Sequence, residues 1–198
     1  PFRHHFNFPM CLSQGRNLAR DDGEYVQILA VGKLGVPRKR LEWVIEVVEH
    51  LVGQNNIKLI IVGANDIEKY SNRDKGYYKV LYEKIGPLVD QGVAKIAENI
   101  PFDEMGQIYA NSDVYAMPAK GEKFGVSPLE AMEQGCAVLC ADDNGVAPYI
   151  SDGHDGLLFS SGSFNEFRRK FLMLIQDSRL RKSLGNSAQD TIREKHSC

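Results

Sequence analysis

The sequence predicts an α/β fold, a Rossmann-like doubly wound parallel sheet, and two observations carry that expectation. Short apolar runs closed by glycine, as in Ile28-Leu-Ala-Val-Gly32 and Leu59-Ile-Ile-Val-Gly63, have the length and composition of buried strands. Longer runs between them carry apolar residues at i, i+3, i+4 and i+7, the spacing of a helix with one buried face.

Taken in order, Tyr25 to Val31 reads as a buried strand ending at Gly32. Leu41, Val44, Ile45, Val48, Leu51 and Val52 then share one helix face, while Glu42, Glu46 and Glu49 point the other way. Lys58 to Val62, closed by Gly63, is a second buried strand, and a strand-helix-strand unit implies a parallel pair with a right-handed crossover. The rhythm continues with a helix near Tyr77 to Val89, a weaker strand at Val93 to Ala97, a short helix after Asp103 and a strand at Val114 to Met117. A helix over Pro128 to Gln134 is expected to start on Ser127 as N-cap, with Pro128 first inside it, and to stop at Gly135, which takes positive φ at low cost. Ala137 to Ala141 is a strand and Gly156 to Phe159 a short last one. From Ser163 onward the pattern is helical, with Phe164, Phe167, Phe171, Leu174 and Ile175 in register and a capping box formed by Ser163 and Glu166. Residues 1–24 lack periodicity and read as a linker from a missing N-terminal domain, leaving 25–198 as the folded unit.

Composition excludes several classes. Hydrophobic residues at 43% and charged residues at 25% place the chain among globular domains, and a formal net charge of -2 builds in no general attraction for nucleic acid or anionic lipid. No signal peptide or bilayer-length apolar run occurs, so a cytoplasmic protein is expected, its full-length parent peripheral on the inner face of a membrane. Cys11, Cys136, Cys140 and Cys198 lack zinc-ligand spacing, and Cys136 and Cys140 read as buried reduced thiols.

In an open parallel sheet ligands bind beyond the carboxyl ends of the strands, which directs the search to the loops there. The loop after the first strand carries Lys33, Arg38, Lys39 and Arg40 at a helix entry, where cations oppose the macrodipole unless an anion joins them, so the cluster suggests a phosphate site. The loop after the fourth strand holds Glu122, Phe124, Gly125, Val126 and Ser127 and runs into a helix with Glu130 in its first turn. Carboxylates repel phosphate but accept hydrogen bonds from hydroxyls, so one nucleotide sugar would satisfy both loops. A Ser127–Glu130 capping box accounts for Glu130 without any ligand.

Val31-Gly-Lys-Leu34 with its basic loop, Ile61-Val-Gly63, Ile108 to Pro118, Glu122-Lys-Phe-Gly-Val-Ser-Pro-Leu-Glu-Ala-Met132 and Asp152-Gly-His-Asp-Gly-Leu-Leu158 resemble the C-terminal, donor-binding domain of GT-B-fold retaining glycosyltransferases of family four (glycosyl transferases group 1). The resemblance spans roughly 25–195, and its Glu-x7-Glu element is the most specific part. It implies that Glu122 touches the donor sugar and Glu130 the ribose, and that Lys33, with Arg38 or Lys39, grips the diphosphate and acts with Glu122 in catalysis. It also implies base contacts from backbone near Asn99 and Ile100. The donor would be a UDP-, GDP- or ADP-hexose, with no metal and no other cofactor, and the acceptor a glycan or lipid-linked glycan held by the missing N-terminal domain, without which this fragment would be inactive. Three departures bear on donor identity: Lys33 stands for the usual arginine, Lys123 for glycine and Pro148 for glutamate. The alternative is a non-catalytic doubly wound nucleotide-binding or interaction module; a plain NAD-binding domain is disfavoured because no Gly-x-Gly-x-x-Gly follows the first strand.

Overall fold

A computed structural model of the chain describes residues 25–123 and 125–196. The expected linker 1–24, Cys11, Phe124 and Cys198 lie outside the described residues. Six parallel strands, β1 (Val26–Val31), β2 (Ile57–Gly63), β3 (Ala94–Glu98), β4 (Val114–Met117), β5 (Ala137–Ala141) and β6 (Leu157–Phe159), lie in the order β3-β2-β1-β4-β5-β6. The chain builds outward from β1 to β3, then returns to β4 on the other flank of β1 and builds the opposite way. This is the doubly wound arrangement, and its winding reverses between β1 and β4.

Side-chain alternation along each strand divides the core in two. Ile28 and Ala30 of β1, Val114 and Ala116 of β4 and Leu139 of β5 face one layer, built by α1 (Leu41–Leu51), α2 (Asn72–Asp90) and α5 (Phe164–Gln176). Leu29, Tyr115, Val138 and Cys140 face the other, built by α3 (Phe102–Ala110), α4 (Ser127–Glu133) and α6 (Ser178–His196). Burial on both faces is why these strands read as continuous apolar runs. Cys136 and Cys140 are fully buried reduced cysteines, and burial pushes the Cys140 thiol up to about 12.

Strands β4 and β5 match expectation residue for residue, and four local differences have identifiable causes. Helix α2 starts at Asn72, before the periodic stretch, because the Ser71 hydroxyl caps it by accepting from the Asp74 amide at 3.2 Å. The helical tail is two helices, since Asp177 ends α5 and its carboxylate accepts from the amides of Arg179 and Leu180, both at 2.9 Å, at the start of α6. The Ser163–Glu166 box is only half made: Ser163 accepts from the Glu166 amide, but the Glu166 carboxylate takes the Ser160 amide. Helix α4 begins on Ser127 itself with Val126 at the cap position, so Ser127 is not an N-cap and the Ser127–Glu130 capping box is not formed. The Ser127 hydroxyl instead accepts from the buried Tyr115 hydroxyl at 2.7 Å, which draws it inward. Among the described residues no helix is long and apolar enough to cross a membrane.

Candidate active site

The two loops singled out in the sequence leave the sheet at β1 and β4, on either side of the reversal, where an open parallel sheet forms a cleft. After β1 the chain makes a 3-10 turn at Pro37–Lys39 and enters α1 through Arg40, a non-glycine residue in the left-handed region at φ 52. No side chain of that segment caps α1. The Tyr77 hydroxyl of α2 takes the Leu41 amide at 3.1 Å and donates to the Glu42 carboxylate, fixing the turn that carries Arg38 and Lys39.

Across the cleft, Glu122 meets both cations. Its Oε2 accepts from Arg38 Nη1 at 2.7 Å and from Lys39 Nζ in a shorter contact, and the Lys120 amide donates to the Arg38 carbonyl at 2.8 Å. The Glu122 side chain is 12% exposed and that of Lys39 14%, whereas that of Arg38 is 50% exposed. Lys39 is therefore the enclosed partner, its aliphatic stem lying against Gly32 at the end of β1. Burial alone would raise the Glu122 carboxyl, but Lys39 and then Arg38 outweigh it and hold the group below the ordinary carboxylate range.

Close backbone approaches shape this cleft. A Cβ at Gly145, in the loop after β5, would lie 2.1 Å from the Lys123 carbonyl oxygen, and the Gly145 amide donates to the Glu122 carbonyl at 2.7 Å. Gly125 does more than turn the chain: a Cβ there would come within 2.7 Å of Glu122 Cγ, so its bare backbone leaves room for the glutamate. Glu130, on α4, accepts from the Tyr109 hydroxyl of α3 at 2.8 Å. Burial raises its carboxyl, and the Tyr109 hydrogen bond offsets part of that rise.

The structure thus brings Arg38, Lys39 and Glu122 into contact and sets Gly125, Val126 and Ser127 on the segment leading from Glu122 into α4. Lys33 is exposed after β1, with no side-chain partner among the described residues. Ile100, half-buried, packs against the α3/α4 core at the end of β3. Tyr77, Tyr109 and Gly145 escaped the sequence reading. The two tyrosines sit at positions indistinguishable from core aromatics, and Gly145 gives no local signal because its neighbour lies on a different loop.

The family model for glycosyl transferases group 1 matches residues 16–191. The chain belongs to this family. Among curated relatives of this chain, the sulfoquinovosyl transferase of Arabidopsis thaliana is 28% identical over 176 residues, covering 87% of this chain and 31% of that protein. The crystal structure of the C-terminal domain of the group 1 glycosyl transferase LpcC from Francisella tularensis superposes with a TM-score of 0.73 at 25% identity over 86% of each chain. That of Anabaena HepE, in complex with UDP and glucose, gives 0.74 at 21% identity over 87% of this chain and 45% of HepE. The chain therefore spans less than half of the plant relative and of HepE, and its fold is that of the C-terminal domain of GT-B glycosyltransferases.

Proposed function

We propose that this domain binds the nucleotide-sugar donor of a retaining hexosyltransferase. The reading is carried by one observation, the contact of Glu122 with Arg38 and Lys39 across the point where the sheet reverses its winding. A diphosphate arriving there exchanges for the Glu122 carboxylate on Lys39 and Arg38, and Glu122 is released to accept from a hydroxyl of the sugar. One anionic group replaces another on the cations in that exchange, so they are never left uncompensated in a half-buried cleft. Lys39, the more enclosed of the two, is the principal phosphate ligand, with Arg38 and Lys33 reaching in from the rim. Val126 and Ser127 border the phosphates, and Glu130, presented by Tyr109, accepts from the ribose.

In the transfer, the bond from the anomeric carbon to the diphosphate oxygen breaks, and an acceptor hydroxyl oxygen bonds that carbon on the same face. The hydroxyl proton leaves with the diphosphate. Lys33, Lys39 and Arg38 meet the charge that grows on the leaving oxygen, so no metal is required of this site. The HepE structure with UDP and glucose supports a nucleoside diphosphate in this fold, and the plant relative supports transfer of a hexose-type sugar. A glycan or lipid-linked acceptor would be held by an N-terminal domain of the full-length enzyme.

In that full-length enzyme the double substitution Lys33→Ala/Lys39→Ala is expected to lower donor turnover by on the order of 10²-fold or more. Turnover at the parent rate would remove the phosphate grip. Calorimetry of the present chain with UDP, GDP and ADP is expected to give binding to at least one of them.

A further inference from the structure

A second polar cluster lies at the same edge of the sheet, beyond β2 and β3. Glu98, the last residue of β3, accepts from the Tyr78 hydroxyl at 3.0 Å, from the Tyr82 hydroxyl in a shorter contact, and from Asn65 Nδ2 at 2.7 Å. Burial would raise its carboxyl, but the donors Tyr82, Asn65 and Tyr78 outweigh that and keep it ionised. Asn65 is held at both ends of its amide, because Nδ2 also donates to the Tyr78 hydroxyl at 3.1 Å and Oδ1 accepts from the Ile67 amide at 3.3 Å. So anchored, Asn65 directs its backbone N–H at Asn99 Oδ1, 3.0 Å away.

That last bond settles which way the Asn99 amide faces. A backbone N–H only donates, so Asn99 must offer its oxygen to Asn65 and turn its NH2 group outward. Among the described residues Asn99 Nδ2 has no partner, and the residue is exposed. Asn99 also holds φ 52, a left-handed conformation that glycine would adopt at less cost, so an asparagine there keeps a side chain at the expense of the backbone.

The position suits the far end of a nucleotide. β3 stands two strands from β1, ~10 Å at ordinary strand spacing, within the length of an extended nucleoside diphosphate whose phosphates lie at Lys39. Helix α3, which starts at Phe102 just past Asn99, also supplies Tyr109 to Glu130, so one helix connects this loop with the residue proposed for the ribose. We propose that the Asn99 side chain selects the donor base by donating to the carbonyl at uracil O4 or guanine O6, and disfavours the amino group that cytosine or adenine carries at the same ring position. The inference rests on the donor-site reading above. A donor facing an amino donor leaves both groups unpaired, which is costly where water is displaced.

The test is calorimetry of the present chain with two matched pairs, UDP against CDP and GDP against ADP. In whichever ring size binds, the carbonyl base is expected to bind about tenfold or more tightly than its amino counterpart. Asn99→Asp, which can still accept from Asn65 but presents oxygen in place of the NH2, is expected to bring that ratio to about one or reverse it. Asn99→Gly keeps φ 52 without strain and is expected to abolish the ratio, and it serves alone if the aspartate variant fails to fold. Equal binding within both pairs, preference for an amino base, or a ratio unchanged in the variants would overturn the assignment while leaving the donor site standing. Binding of none of the four would remove the donor site and this inference together.

Discussion

Replacing Lys39 by methionine isolates the charge at the centre of the cleft. The stem of Lys39 lies beside Gly32, and methionine keeps an unbranched apolar chain there, so the substitution removes an ammonium and little else. What it leaves behind is Glu122, 12% exposed, with Arg38 as its remaining cation. Breaking a fully buried ion pair costs ~3–5 kcal/mol, and a hydrogen bond to a charged group contributes ~1.5–3 kcal/mol. Because Arg38 persists and some solvent reaches the carboxylate, the expected loss at pH 7 is about 2 kcal/mol, or about 4–8 °C in unfolding midpoint for a domain of this size.

The pH dependence distinguishes this cause from general damage. In the parent the folded-state pKa of Glu122 lies below its ordinary value of 4.5. Its contribution to stability is therefore complete above that value and drains away as pH falls through the lower, folded-state pKa. Lys39→Met deletes most of that contribution, so its cost is expected to be full at pH 7 and to shrink markedly by about pH 3.5. Urea unfolding of both proteins at the two pH values measures it. An equal cost at both, or a loss below about 0.5 kcal/mol at pH 7, would show that the pair does not hold these loops together.

Two further substitutions probe the supports of the site. Gly145→Ala is expected to destabilise by about 2 kcal/mol or more and to weaken nucleotide binding, since its Cβ would meet backbone atoms of Lys123; Gly86→Ala, whose Cβ meets nothing within 4 Å, is expected to stabilise by about 0.5–1 kcal/mol in the same thermal-melt series. Tyr109→Phe removes the donor that offsets the burial of Glu130. A carboxyl whose folded pKa is raised costs stability as pH rises above its ordinary range, so this variant should lose little at pH 4.5 and about 1–3 kcal/mol at pH 8, and a cost independent of pH would refute the role given to Tyr109.

Much of this was legible in the residues. The strands at Val114–Met117 and Ala137–Ala141 read correctly because a strand buried on both faces leaves an uninterrupted apolar run, and Gly135 marked the end of α4 by its conformational freedom. The polar first turn of α2 and the break at Asp177 were not, because caps are made by single side chains that leave the hydrophobic period unchanged. Ser127 shows the limit most clearly. Its local context is that of an N-cap, yet the hydroxyl of Tyr115, in the neighbouring strand, claims it.

By itself the sequence determined the alternating elements, the family and the two loops that carry opposite charge, since each is written in neighbouring residues or in spacings along one segment. Only the tertiary structure decided that Glu122 closes on Lys39 and Arg38, that Tyr77 and Tyr109 brace the cleft, and that Asn99 turns a donor outward. Those contacts join positions brought together by the order in which strands enter the sheet, and that order depends on burying both faces at once, a property of the whole chain and of no segment within it.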